Sequence, residues 1–295
     1  MPTNVLVVGR TGQLARALAK RVAPSDWRLR FYGRSELDLS DPGLIQAKIE
    51  AALPDIVINA AAYTAVDAAE TDQAQADRVN GDGPGALARA CTNIGASLVH
   101  VSTDYVFDGE TPGRYAVNAP LNPQSAYGRS KALGETQILQ SGANAAIVRT
   151  SWVYAAEGMN FVRTMLNLAE TRDEISVVHD QVGAPTWSAD LADAVVATAR
   201  KLAQCAPEAR GVFHFAGAGE ATWAVFAEAV FEEARARGWP AARVKRVTSA
   251  EFPRPAKRPA NSLMDLAPFE ATFGLKPREW REALHLCMDE ITRER

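Results

Sequence analysis

Tyr127 and Lys131 stand four residues apart in Tyr127-Gly128-Arg129-Ser130-Lys131, and Thr103 lies upstream in Ser102-Thr103-Asp104-Tyr105. One helical turn brings the phenol and the amine to the same face, roughly 6 Å apart at the backbone. A free phenol has a pKa near ~10, too high for efficient proton exchange at neutral pH, and a neighbouring ammonium lowers it. The chemistry expected is proton transfer to or from an oxygen that Thr103 holds beside the phenol. Tyr-x-x-x-Lys arises by chance on many surface helices, so its meaning rests on the elements that position it.

Thr103 follows the apolar run Leu98 to Val101, which reads as a buried strand. Similar runs occur at Val5 to Val8, Leu29 to Tyr32, Ile56 to Ile58 and Ala145 to Val148. Between them lie helical patterns at Gln13 to Val22, at Leu44 to Ala52, in stretches reaching Asn93, and around Tyr127. Strands alternating with helices imply parallel strands joined by right-handed crossovers: an α/β fold with a doubly wound, Rossmann-type parallel sheet. This cofactor-binding domain is expected at residues 1–155, with a smaller α/β substrate lobe at 156–295 and the chain crossing between the two. Helices are predicted at Phe161 to Thr171, Ala189 to Ala203 and Ala221 to Arg237, and strands at Ile175 to Val178 and Val212 to Phe215. Prolines 253, 255 and 259 force an extended basic loop. A last helix begins after Pro277, with Trp280, Leu284, Cys287 and Ile291 on one apolar face.

Gly9-Arg10-Thr11-Gly12-Gln13-Leu14-Ala15 joins the first strand to the first helix. Glycines here let a diphosphate approach the backbone, and the helix N-terminus offers free N–H groups and a favourable dipole. Gly9, Thr11, Gly12, Gln13 and Leu14 are therefore the expected diphosphate cradle of a dinucleotide. After the second strand, an acidic residue commonly holds the adenine ribose of NAD; here the chain reads Tyr32-Gly33-Arg34-Ser35. The Arg34 guanidinium suits a 2′-phosphate, which favours NADPH over NADH. Asp38 and Leu39 are expected on the adenine side, and Ala60, Ala61 and Ala62 follow the third strand with side chains small enough for a cofactor to cross the sheet edge.

The net charge of −3 gives no electrostatic reason to expect nucleic acid. With 47% hydrophobic and 23% charged residues, the composition is that of a globular domain, and no apolar stretch is long enough to span a bilayer. The first residues carry no basic start, long apolar stretch or cleavage site of a secretory leader. Cys91, Cys205 and Cys287 are odd in number and widely spread, and histidines 100, 179, 214 and 285 lack metal spacing, so a cytoplasmic protein without a metal site is expected and the histidines read as structural.

Taken in order, Gly9-x-x-Gly12-Gln13-Leu14, Asn59-Ala60-Ala61-Ala62-Tyr63-Thr64, Ser102-Thr103-Asp104-Tyr105-Val106-Phe107-Asp108-Gly109 and Tyr127-Gly128-x-Ser130-Lys131 resemble the extended short-chain dehydrogenases. Asp180-Gln181-x-Gly183-x-Pro185-Thr186 and Arg258-Pro259-x-Asn261-Ser262 narrow the resemblance to the dTDP-4-dehydrorhamnose reductase family, over almost the whole chain. The resemblance implies NADPH-dependent reduction of a dTDP-linked 4-keto deoxyhexose in the supply of surface polysaccharide. Thr103 would then hold the C4 carbonyl, Tyr127 would donate the proton, and Lys131 would lower the phenol pKa and bind the nicotinamide ribose. Asp104 and Tyr105 would lie at the substrate, Trp152 would stack on the sugar, and Gln181, Arg258 and Asn261 would hold the nucleotide diphosphate or base. Some members place a glutamate of a magnesium site at a dimer interface where alignment puts Ala17, so no metal is expected here and monomer and homodimer both stay open. Another sugar-nucleotide epimerase or reductase, or a non-catalytic cofactor-binding regulatory subunit, could use the same scaffold. A dehydratase is disfavoured, because Tyr105 stands where a second carboxylate would be needed.

Overall fold

The computed structural model describes residues 2–21 and 25–294; the predicted helix end at Val22 and the first residue, Met1, lie outside the described residues. The first half builds β1 (Thr3–Val8), α1 (Gln13–Lys20), β2 (Trp27–Tyr32), α2 (Pro42–Ala52) and β3 (Ile56–Asn59). Short helices α3 (Val66–Ala69) and α4 (Gln73–Asp77) and a π-helical turn, Arg78–Asp82, lead into α5 (Gly83–Ile94). Then come β4 (Ser97–Thr103), α6 (Ala126–Gln140) and β5 (Asn144–Thr150).

The second half contains β6 (Val153–Tyr154), α7 (Phe161–Ala169), β7 (Glu174–Val178), β8 (Val182–Gly183), β9 (Thr186–Trp187) and α8 (Ser188–Ala203). It continues through β10 (Gly211–His214), β11 (Ala221–Thr222), α9 (Trp223–Ala236), β12 (Arg243–Val247), α10 (Ala267–Phe273) and α11 (Trp280–Glu294). Among the described residues, no helix is long and apolar enough to cross a membrane.

Six parallel strands lie in the order β10-β5-β4-β3-β1-β2. Strands buried on both faces need continuous apolar runs, and β3, Ile-Val-Ile-Asn, is buried throughout. At the edge, β2 instead alternates, with Arg28 and Arg30 outward and Leu29 toward the core. From β1 the order runs one way to β2 and the other way to β3, so the crevice at the C-terminal ends of β1 and β3 is the topological switch point.

The chain returns to this sheet well after residue 155. β10 extends it beside β5, and α8 buries Leu191, Val195 and Leu202 with Val5, Leu18 and Val99. Phe269 of α10 joins the same core. The second core gathers Tyr154, Phe226, Phe231 and the α11 stripe of Trp280, Leu284, Cys287 and Ile291. Beside the main sheet, β12 pairs with β7, β8 with β11 and β6 with β9.

Candidate active site

A cleft of about 1410 Å³ opens at the switch point, lined chiefly by the segments that follow β1 to β5. Every predicted catalytic and cofactor residue lines it, as do Asp104, Tyr105 and Trp152. At its floor, Gly9 has φ +116°, and a Cβ there would sit 3.3 Å from the carbonyl carbon of Ala60. The turn therefore requires glycine, and it brings the loop after β1 against the loop after β3. No side chain caps the start of α1 at Gly12, so the first-turn N–H groups keep their capacity for an anion.

The cleft also contains buried polar atoms without protein partners: Oε1 of Gln13, Oγ of Ser102 and Oγ1 of Thr150. Such atoms fit a polar ligand lying across the crevice, and with the glycine turn they suit a dinucleotide. At the far end Arg34 ion-pairs with Asp38 at 3.0 Å. Arg10, a residue the sequence pattern did not single out, is a second guanidinium there, bonded to the Phe31 carbonyl and to Glu36. Its signal was its place inside the glycine loop.

α6 carries both Tyr127 and Lys131. Ser125 caps it, accepting from the Gly128 amide at 3.1 Å. A Cβ at Gly128 would lie 2.2 Å from the Tyr105 carbonyl oxygen, so only glycine lets α6 approach the turn after β4 this closely. That approach sets the Tyr127 ring edge-on to Tyr105, with centroids 5.5 Å apart. Gly128→Ala is accordingly expected to destabilise the protein by about 1–3 kcal/mol and to lower activity further by moving Tyr127 off Thr103. A denaturation midpoint beside a turnover assay checks both, and wild-type values for both would contradict this packing.

Burial pushes the Tyr127 phenol above its ordinary value, and its hydrogen bond with Thr103 opposes this only in part. Burial outweighs any lowering by neighbouring groups. The lysine nitrogen instead donates to the Val101 carbonyl at 2.7 Å and stands 3.1 Å from Nε2 of His100, and burial lowers its own pKa to about 8. Nearness in sequence sets which face the two groups share; burial and competing partners decide the electrostatics. His100 is a buried ring hydrogen-bonded between Asn59 and Lys131, a partner of the lysine that nothing in its local sequence marks.

Thr103 donates to Asp104 at 3.0 Å, and the other Asp104 oxygen accepts from Ser262, far along the chain. Burial raises the Asp104 carboxyl to about 6 against those hydrogen bonds. Trp152, at φ +50°, lines the cleft with one face stacked 3.7 Å from Trp223.

The family model described as RmlD substrate binding domain matches residues 3–293. The chain is 43% identical over 281 residues to a dTDP-4-dehydrorhamnose reductase of Sinorhizobium fredii, covering 95% of each chain. It belongs to the dTDP-4-dehydrorhamnose reductase family. A crystal structure of a dTDP-4-dehydrorhamnose reductase from Clostridium acetobutylicum superposes with TM-score 0.92 at 38% identity, covering 98% of this chain and 100% of that one. One from Bacillus anthracis, in complex with NADP, gives TM-score 0.91 at 34% identity with the same coverage.

Within this family member, three expected substrate residues make hydrogen bonds inside the protein. Asn261 donates to the carbonyls of Thr111 and Gly113 and accepts from the Leu263 amide, so its side chain clamps the loop after Gly109. Gln181 is buried and donates to Ser249, away from the residues that line the cleft. Arg258 bridges the Tyr105 hydroxyl at 3.1 Å and Asp67 at 2.8 Å, so it braces a cleft residue from behind. Ala17 is buried in the core under α1, and among the described residues no group of three His, Cys, Asp or Glu side chains could hold a metal ion.

Proposed function

We propose that this protein reduces the C4 ketone of dTDP-4-dehydro-β-L-rhamnose to dTDP-L-rhamnose with NADPH. The observation that carries this reading is the convergence of Thr103, Tyr127 and Lys131 on a cleft whose glycine loop suits a dinucleotide, in a chain of this reductase family. When bound, NADPH supplies the hydride that reduces C4. Tyr127 gives its phenolic proton to the ketone oxygen as negative charge develops there, and Thr103 holds that oxygen by a hydrogen bond. The raised phenol pKa keeps the proton in place at neutral pH, and the developing sugar alkoxide is a strong enough base to take it.

Asp104 governs whether Thr103 has a hydrogen to offer. An ionised Asp104 accepts the hydrogen bond of the Thr103 hydroxyl; a protonated one donates to Thr103 Oγ1 and frees that hydrogen for the substrate. Because burial raises this carboxyl, the protonated form persists until pH passes about 6. kcat/KM is therefore expected to fall as pH rises through that value, approaching about tenfold per unit. Asp104→Asn mimics the protonated group, with NH₂ toward Thr103 and the carbonyl toward Ser262, and should flatten the profile. An unchanged slope in the variant would remove Asp104 from the reaction.

A cytoplasmic site of action suits three widely spread cysteines, and the partner is a small sugar nucleotide. A panel of 4-keto sugar nucleotides assayed with NADPH and NADH tests the assignment. Efficient turnover of the dTDP-linked 4-ketorhamnose with NADPH supports it; NADPH binding without reduction of any panel member would overturn it.

A further inference from the structure

Thr150 ends β5 in register with Thr103, the last residue of β4. Side chains alternate along a strand, so Thr150 points the way Val148 does and Thr103 the way Val99 does, into the core that α1 and α8 share with the sheet. Both threonines therefore stand on one face, on strands roughly 4.8 Å apart. Thr103 engages its hydroxyl with Asp104 and the Tyr105 amide. Thr150 is 6% exposed, and its Oγ1 has no protein partner. Buried threonines elsewhere turn theirs onto the backbone: Thr198 donates to the Ala194 carbonyl at 2.8 Å and Thr186 to the Ala184 carbonyl at 3.2 Å. Leaving a buried hydroxyl unpaired is costly, so the atom marks a place for a ligand group.

Its surroundings select that group. Thr150 lines the cleft with Val101, Val153 and Leu191, and those three side chains belong to the same core or pack on it. An apolar wall with one free hydroxyl suits a flat ring that carries a single polar substituent. A hexose, with hydroxyls around its ring, would find too few partners on such a wall. Ser102, whose Oγ is also free, alternates to the α6 side of the sheet and is no part of it. The strand order agrees. From the glycine loop after β1 the cleft crosses the end of β3 before it reaches β4 and β5, so a dinucleotide held by its diphosphate at the loop would bring its nicotinamide end to Thr103 and Thr150. The carboxamide is the hydrogen-bonding group of that ring.

We propose that Thr150 is a cofactor-binding residue whose hydroxyl holds the carboxamide of the nicotinamide ring against Val101, Val153 and Leu191. The proposal rests on the NADPH-dependent reductase reading. A hydroxyl both donates and accepts, so Thr150 can meet the carboxamide through its oxygen or its NH₂. By fixing that edge, Thr150 keeps one face of the ring toward the ketone held by Thr103 and stops the ring from turning over about its bond to the ribose.

Isothermal titration calorimetry of the full chain with NADP⁺ and with 2′-phospho-ADP-ribose, which lacks only the nicotinamide, isolates this contact without turnover. Thr150→Val, nearly equal in shape, should weaken NADP⁺ about tenfold and leave 2′-phospho-ADP-ribose within about twofold, and Thr150→Ser should restore most of the loss. Because the hydroxyl has no partner in the fold, the melting temperature of cofactor-free Thr150→Val should match or exceed that of wild type. Equal losses for both ligands, with a lower melting temperature, would make Thr150 a residue of the fold and overturn the proposal. Unchanged affinity for both would leave the hydroxyl to water and overturn it too. So would weaker binding of dTDP-L-rhamnose with NADP⁺ affinity unchanged, which would put the hydroxyl at the sugar. Wild-type protein that binds no NADP⁺ would overturn the reductase reading and this proposal together, whereas the variant results bear on Thr150 alone.

Discussion

Tyr127→Phe lowers kcat for ketone reduction by about 10²–10⁴-fold and leaves NADPH affinity nearly unchanged. Phenylalanine keeps the ring that packs edge-on against Tyr105 and deletes only the hydroxyl beside Thr103, so α6 and its Ser125 cap should stay as they are. Hydride arrival then leaves charge on the sugar oxygen with no positioned proton to quench it. The phenol suits donation because burial keeps it protonated; a depressed pKa would suit the oxidative direction better. Fluorescence titration of the cofactor beside single-turnover kinetics separates binding from chemistry. Wild-type turnover in the variant would take Tyr127 out of the reaction, and a regulatory protein would keep its effect on its partner in either form.

Thr103→Val should cost about 10²–10³-fold in kcat, with Thr103→Ser recovering most of it. Valine nearly matches the shape of threonine but offers no hydrogen bond to an oxyanion, and Thr103 is buried at the end of β4 where water does not substitute. The same hydroxyl also accepts from the Tyr105 amide at 3.3 Å to start the turn that follows. A stability loss of about 1 kcal/mol is therefore expected as well. Thermal melts distinguish the two contributions: a melt shift without loss of kcat would make Thr103 a turn residue only.

Much of the fold was legible because its signals are local. The apolar runs of β1, β3, β4 and β5 and the glycine turn after Val8 fix a parallel sheet with a switch point, and the predicted α8 and α11 lie within a few residues of their observed spans. The site was legible where one element carries two of its members, as α6 carries Tyr127 and Lys131. What escaped depends on distant partners. β10 joins the sheet from residue 211, the Asn261 clamp reaches back to Thr111 and Gly113, and the meeting of Asn59, His100 and Lys131 follows from strand register. The burial of Tyr127 also escaped, because burial is a property of the packed chain while a neighbouring lysine is visible in the sequence.

The most direct measurement of the central claim follows the hydride itself. Protein is incubated with dTDP-4-dehydro-β-L-rhamnose and NADPH carrying deuterium at the transferable position, and the product is examined by NMR and mass spectrometry. One deuterium at C4 of dTDP-L-rhamnose, with one cofactor oxidised per sugar reduced, is the expected result. Bound cofactor with no deuterium in the sugar, or deuterium at another carbon, would contradict it.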